Sequence, residues 1–218
     1  MSGARVALIS GANRGIGAAV AERLWAEGWI VSLGMRTPEL PVWAKGSDQV
    51  HLMAYEATDV TAGARWVAEA LERFGRVDAL VANAGIIVPK TAVEITDEEM
   101  TRLLAVNVQA PRRLAAAGWE ALASTGNGRI ILLASLSGKR VKSAASGAYS
   151  VSKFAVVGLA HALRQAGFDR GIRTTAVCPG FVATDMALGL TDRNATTMTQ
   201  PDDLARVVEM LIDLPNEA

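Results

Sequence analysis

Short apolar runs alternate along this chain with longer segments whose apolar side chains recur every three or four positions. The runs Arg5–Ser10, Trp29–Leu33, Val50–Glu56, Ala79–Asn83, Arg129–Ser135 and Arg173–Cys178 predict strands. The periodic segments Gly15–Glu27, Thr61–Phe74, Thr96–Ser124, Tyr149–Phe168 and Pro201–Asp213 predict helices. Thr96-Asp97-Glu98-Glu99 has the form of a capping box and marks the start of the third helix. Strands that read as near-continuous apolar runs, separated by helices, predict an α/β fold with a doubly wound parallel sheet covered on both faces. No repeat, linker or low-complexity tract interrupts the pattern, so residues 1–218 are expected to form a single domain. A further strand is expected after the helix at Pro201–Asp213 and is missing, so either the sequence is truncated or the sheet ends one strand early.

Composition narrows the functions such a domain could have. Of the 218 residues half are hydrophobic and a fifth charged, with acidic and basic side chains in equal number. That balance argues against a nucleic-acid or acidic-membrane partner, which would select a clustered positive surface. The basic stretch Lys139, Arg140 and Lys142 is too short to change this; it could attract an anionic substrate, but a solvated loop is the expected reading. The only cysteine, Cys178, has no internal disulfide partner, which fits a reducing compartment. Two histidines, His51 and His161, without a cysteine cluster give no basis for a metal site. The first apolar run, Val6–Ile9, is too short for a signal peptide, and no stretch is apolar enough to cross a membrane, so a cytoplasmic location is expected.

Chemistry enters at the first turn. Ser10-Gly11-Ala12-Asn13-Arg14-Gly15-Ile16-Gly17 follows a predicted strand and opens a predicted helix. Glycine there lets backbone approach a pyrophosphate, and the helix end supplies free N–H groups and a positive dipole end. An acid after the second strand would accept from the ribose 2′-OH of NAD and repel a 2′-phosphate. This chain has Gly34-Met35-Arg36-Thr37 instead, and Arg14 in the nearby turn. Two guanidiniums suit a phosphate dianion, so NADP(H) is preferred over NAD(H).

Tyr149 and Lys153, four apart on a predicted helix, share one face and could act as a proton-transfer unit. A nearby ammonium favours the phenolate of a group that otherwise ionises near pH 10. With the glycine turn, Ala82-Asn83-Ala84-Gly85, Asn107, Ser135 and Pro179-Gly180, in that order, the chain resembles the short-chain dehydrogenase/reductase family over almost its whole length. The resemblance implies strand order 3-2-1-4-5-6 and hydride transfer between a nicotinamide cofactor and a small carbonyl or alcohol substrate. It implies Tyr149 as acid/base, Lys153 on the nicotinamide ribose, lowering the tyrosine pKa together with the oxidised ring, and Ser135 on the substrate oxygen. Ser135 is preferred over Ser137 because it ends a predicted strand, whereas Ser137 has entered the turn.

Asn107 matches the family residue that links the lysine to solvent through a water. Pro111 has no N–H for the Asn107 carbonyl, which is therefore expected to be free to accept one. Asn83, Ala84 and Gly85 resemble the turn lining the adenosine ribose, although the first asparagine of the family pattern is Ala82 here. Glu56 and Ala57 align with the adenine-contacting pair when counted back from Phe74-Gly75, while Asp59-Val60 matches the dipeptide itself. Pro179, Gly180, Val182 and Thr184 resemble the nicotinamide-facing loop. The following segment is where the family places its substrate-covering loop; Met186, Leu188, Leu190 and Met198 suggest an apolar covering or, equally, ordinary helix core. Family members associate through their two long helices, so a homo-oligomer, dimer or tetramer, is expected. An NADP-binding sensor without turnover is the alternative on the same fold.

Overall fold

The computed structural model describes residues 3–217. Six strands, β1 (Val6–Ser10), β2 (Ile30–Met35), β3 (Val50–Ala54), β4 (Ala79–Ala82), β5 (Gly128–Leu133) and β6 (Ile172–Val177), form one sheet. Their order is β3-β2-β1-β4-β5-β6, and every pairing is parallel. The order reverses beside β1, so the C-terminal ends of β1 and β4 diverge there and open the crevice in which such sheets bind ligands.

Helices α1 (Gly15–Ala26), α2 (Ala62–Phe74), α3 (Asp97–Leu104), α4 (Ala110–Ser124), α5 (Gly147–Gly167), α6 (Asp185–Leu188) and α7 (Pro201–Asp213) complete the chain. The two-residue period of β1 shows how they cover the sheet: Val6 and Leu8 join the core under α2, α4 and α5, with Trp66, Leu114 and Val156. Ala7 and Ile9 join the opposite core under α1 and α7, with Leu24 and Val208. Because β1 is enclosed on both faces, its five residues are all buried, and Val6, Leu8 and Ile9 each contribute about 1.5–3 kcal/mol. Among the described residues no helix is long and apolar enough to cross a membrane.

Several boundaries differ from the sequence expectation. The predicted helix Thr96–Ser124 is two helices joined by a π-helical turn over Ala105–Gln109. Its cause is Pro111: where an N–H is missing, the ladder widens, and Ala110 donates back to Ala105. The Thr96 capping box is formed as expected, with Glu99 N–H donating to Thr96 Oγ1 at 3.2 Å and Thr96 N–H to Glu99 Oε2 at 3.0 Å. Strand β5 ends at Leu133, so Ser135 lies beyond the strand and opens a short 3₁₀ turn, Leu136–Gly138. Helix α5 begins earlier than predicted, at Gly147, which places Tyr149 in its first turn. After α7 the chain is held by Arg129, whose buried guanidinium donates to the carbonyls of Ile212 and Leu214 and to Asn216 Oδ1.

Candidate active site

The turn after β1 is shaped by what its glycines lack. Gly11 has φ of 67°, in the left-handed region that glycine adopts without penalty. Gly17 is buried within α1, and a Cβ there would meet the Gly11 carbonyl oxygen at 2.3 Å and Asn83 Nδ2 at 2.5 Å. Its bare backbone lets α1 start directly behind the turn. Asn83 ties the turn to the end of β4, its Nδ2 donating to the carbonyls of Ser10 at 3.0 Å and Gly11 at 3.1 Å. Ser10 Oγ reciprocates by accepting from the N–H groups of Asn83 and Ala84.

From this turn a cleft of about 1110 Å³ crosses the ends of the strands. Gly11, Asn13, Arg14, Gly15 and Ile16 line it, as do Asn83, Ala84 and Gly85. At the β2 side Met35, Arg36 and Thr37 line it together with Tyr55, Glu56, Ala57 and Thr58. The two candidate pairs are placed differently: Asp59 faces the start of α2, accepting from Thr61 N–H at 2.8 Å and pairing with Arg65, while Glu56 and Ala57 line the cleft. Hydrogen bonds from Arg65 and Thr61 hold the Asp59 carboxyl far below the usual range. Arg14 is not free in the turn, because its guanidinium pairs with Asp185 of α6 at 2.8 Å.

At the far end Tyr149 and Lys153 also line the cleft, joined there by Pro179 and Thr184. Lys153 is buried, and its Nζ donates to the Leu133 carbonyl at 2.7 Å while sitting 5.6 Å from the centroid of the Tyr149 ring. Burial pushes the Lys153 ammonium down to about 8. Burial likewise pushes the Tyr149 phenol up to about 12, with the Ser135 side chain pulling the other way. In the protein alone desolvation therefore dominates the phenol; the lowering implied for Lys153 together with an oxidised nicotinamide concerns the loaded protein.

Two predicted residues lie behind the cleft rather than on it. Gly17 serves the packing just described. Asn107 is buried, and its side chain is fully used: Oδ1 accepts from Ile86 N–H at 2.9 Å, while Nδ2 donates to the Ile86 carbonyl at 2.9 Å and to Ser152 Oγ at 3.0 Å. It thus clamps the segment after β4 to α5. Ser152 and Ile86 carried no signal in the sequence, since a helical serine and a loop isoleucine are unremarkable until the fold brings them together.

A second cavity, about 470 Å³ and mostly apolar, adjoins the cleft, and Tyr149 lines both. Ser135 and Ser137 both line this second cavity, as do Gly180 and Val182, which the sequence assigned to the cofactor. Ser135 Oγ accepts from the Ser137 N–H at 3.1 Å, so the two serines form one turn and the strand-end argument does not separate them. Met186 and Leu190 cover the cavity, whereas Leu188 faces solvent and Met198 is buried in the protein.

The profile of the short chain dehydrogenase family matches residues 5–195. Agropine synthesis reductase of Rhizobium rhizogenes is 39% identical over 98% of this chain and 50% of that protein, so the chain spans about half its length. The 3-oxoacyl-(acyl-carrier-protein) reductase of Escherichia coli is 33% identical over 86% of this chain and 78% of its own. Among solved structures, an alcohol dehydrogenase from the archaeon Thermococcus sibiricus, complexed with 5-hydroxy-NADP, superposes with a TM-score of 0.86. It is 27% identical, covering 99% of this chain and 93% of that one.

Proposed function

The chain belongs to the short-chain dehydrogenase/reductase family of oxidoreductases, and on that premise we propose that it interconverts a small carbonyl compound and its alcohol with NADP(H). The observation that carries this reading is the position of Tyr149, whose ring lines both the long cleft and the apolar cavity beside it. A group there touches whatever occupies either space.

The cleft fits a dinucleotide. Its glycine turn has open backbone at the start of α1, suited to a pyrophosphate. Arg36 lines the β2 end of the cleft, and of the acids that line it Glu56 is engaged with Thr58 and Asp185 with Arg14. Arg36 and Arg14 would hold the 2′-phosphate, Arg14 exchanging Asp185 for it. Glu56 and Ala57 would flank the adenine, and Asn83, Ala84 and Gly85 its ribose. Pro179, Gly180, Val182 and Thr184 would orient the nicotinamide end, which when bound supplies or accepts the hydride.

In the reducing direction Tyr149 Oη gives its proton to the substrate oxygen while Ser135 Oγ donates a hydrogen bond to the same atom. Burial pushes that phenol up to about 12, so without cofactor it holds the proton it would give. Lys153, on the same helical face, returns a proton to Tyr149. The Asn107 carbonyl, to which Pro111 offers no N–H, accepts the water that connects Lys153 to solvent. Asn107 itself acts as a positioning residue, through Ile86 and Ser152. Val151 and Phe154, both about half exposed on α5, support association of the long helices in a homo-oligomer.

The test is NADPH oxidation across a panel of ketones and aldehydes. Turnover with NADPH favoured over NADH is expected. Replacing Tyr149→Phe should lower the rate by about 10²–10⁴-fold while NADPH titration is little changed. Tight NADPH binding with no turnover on any carbonyl would mark a sensor and overturn the proposal.

A further inference from the structure

Resting on the carbonyl-reductase reading above, we propose that the substrate carries an anionic group at the end remote from its carbonyl, and that Lys142 and Arg193 read that charge. The basic loop around Lys142 has the composition of a solvated surface, but the fold gives it a second cation and a cavity. Lys142 lines the apolar cavity that Tyr149 and Ser135 also line. Phe181 lines the same cavity, and two cations converge on its ring. Lys142 Nζ lies 5.6 Å from the ring centroid and Arg193 Cζ lies 5.5 Å from it. The two come from separate segments, one between β5 and α5 and the other after α6, so local sequence does not force them together.

Like charges brought to one ring repel, and a ring face returns only about 0.5–1 kcal/mol per exposed cation. Some cations on this protein have carboxylates, as Arg14, Arg23, Arg65, Arg76 and Lys90 do, and buried ones such as Lys153 and Arg129 donate to carbonyls. Lys142 and Arg193 form no ion pair among the described residues, and neither do Lys139 and Arg140 in the same loop. Asp185, the acid at the start of α6, is already engaged by Arg14. Asp192, adjacent to Arg193, is exposed and also unpaired. An apolar cavity is thus lined by one unpaired cation, Lys142, and by the ring on which a second, Arg193, also rests. A ligand with an apolar body, a carbonyl at Tyr149 and an anion at these cations complements each part. The anion could be a carboxylate of the substrate itself or a phosphate of an attached carrier group.

Matched pairs separate charge from shape. A keto acid and its methyl ester share a skeleton, and each is assayed with NADPH at low and high salt, beside acetoacetyl-CoA as the phosphate-bearing probe. The acid or the CoA thioester is expected to have the lower KM, rising with salt, whereas the ester KM is insensitive to it. Lys142→Met and Arg193→Met should each lower the preference for charged over neutral substrate about tenfold. A loss confined to the free acid identifies a carboxylate, and one confined to the thioester identifies a phosphate. Equal KM values for acid, ester and thioester in the wild type, or variants that shift all three alike, would overturn this inference and leave the reductase reading intact. Failure to reduce any carbonyl despite NADPH binding would overturn both.

Discussion

Lys153 occupies the place where its charge is hardest to keep. Its ammonium is buried beside the Tyr149 ring with the Leu133 carbonyl as its hydrogen-bond acceptor, and desolvation pushes it from 10.5 down to about 8. The sign of the resulting linkage follows from proton counts. Between about pH 8 and 10.5 the unfolded chain still holds the proton that the folded protein has lost, so stability rises with pH across that window. Below about 8 the contribution is gone. Tyr149 acts with the opposite sign, and only above 10.0, because its phenol is pushed up to about 12. Urea midpoints measured across this range should therefore rise more steeply for the wild type than for Lys153→Met; parallel curves would show that the ammonium is not desolvated. Cofactor binding adds charge and contacts beside this pair, and its own pH dependence belongs to the loaded enzyme.

At the scale of elements, the site depends on two joints. One is the contact of α1 with the glycine turn, where a Cβ at residue 17 would enter the space of the Gly11 carbonyl. Gly17→Ala should destabilise the fold by about 1–3 kcal/mol, and should weaken NADPH binding because α1 must shift away from the turn. Denaturant titration and cofactor fluorescence check the two effects separately; an unchanged midpoint would mean that the turn yields without strain. The other joint is the π turn at Ala105–Gln109, which sets Asn107 between the segment after β4 and α5. The proline that causes it was visible in the sequence as a missing donor. The answer of the backbone, a wider turn rather than a simple kink, was not, because it depends on what α3 and α4 pack against. Likewise the order of strands and helices was legible from apolar periodicity, while their ends were not: Ser135 left its strand for a turn, and β2 extended to Met35.

For the whole molecule, the parallel sheet puts the loops that follow β1, β4, β5 and β6 at one edge, and the cleft and cavity are the spaces between them. The opposite edge is secured by Arg129 at the start of β5, which is buried and donates to carbonyls at the end of α7 and beyond it. Desolvation lowers its pKa, yet its charge is retained by hydrogen bonds to backbone oxygens and Asn216. Arg129→Met keeps much of the volume but leaves those carbonyls without their donors, and should cost about 2–3 kcal/mol. Thermal unfolding with and without NADPH distinguishes this from damage to the site: the loss should appear in both, with the stabilisation by cofactor unaltered.

By itself the sequence determined the alternation of strands and helices, the glycine turn, the Tyr149/Lys153 spacing and the family, because each is a local pattern that backbone geometry and apolar periodicity impose over a few residues. Tertiary structure decided what lies between distant segments. It turned Asn107 inward onto Ile86 and Ser152, gave Arg14 to Asp185, moved Gly180 and Val182 to the second cavity, and brought Arg193 to the ring that Lys142 already faced. Desolvation belongs to the same group: Tyr149 and Lys153 are four residues apart in any helix, but how far burial opposes their ionisation is set by the strands and loops that close over them.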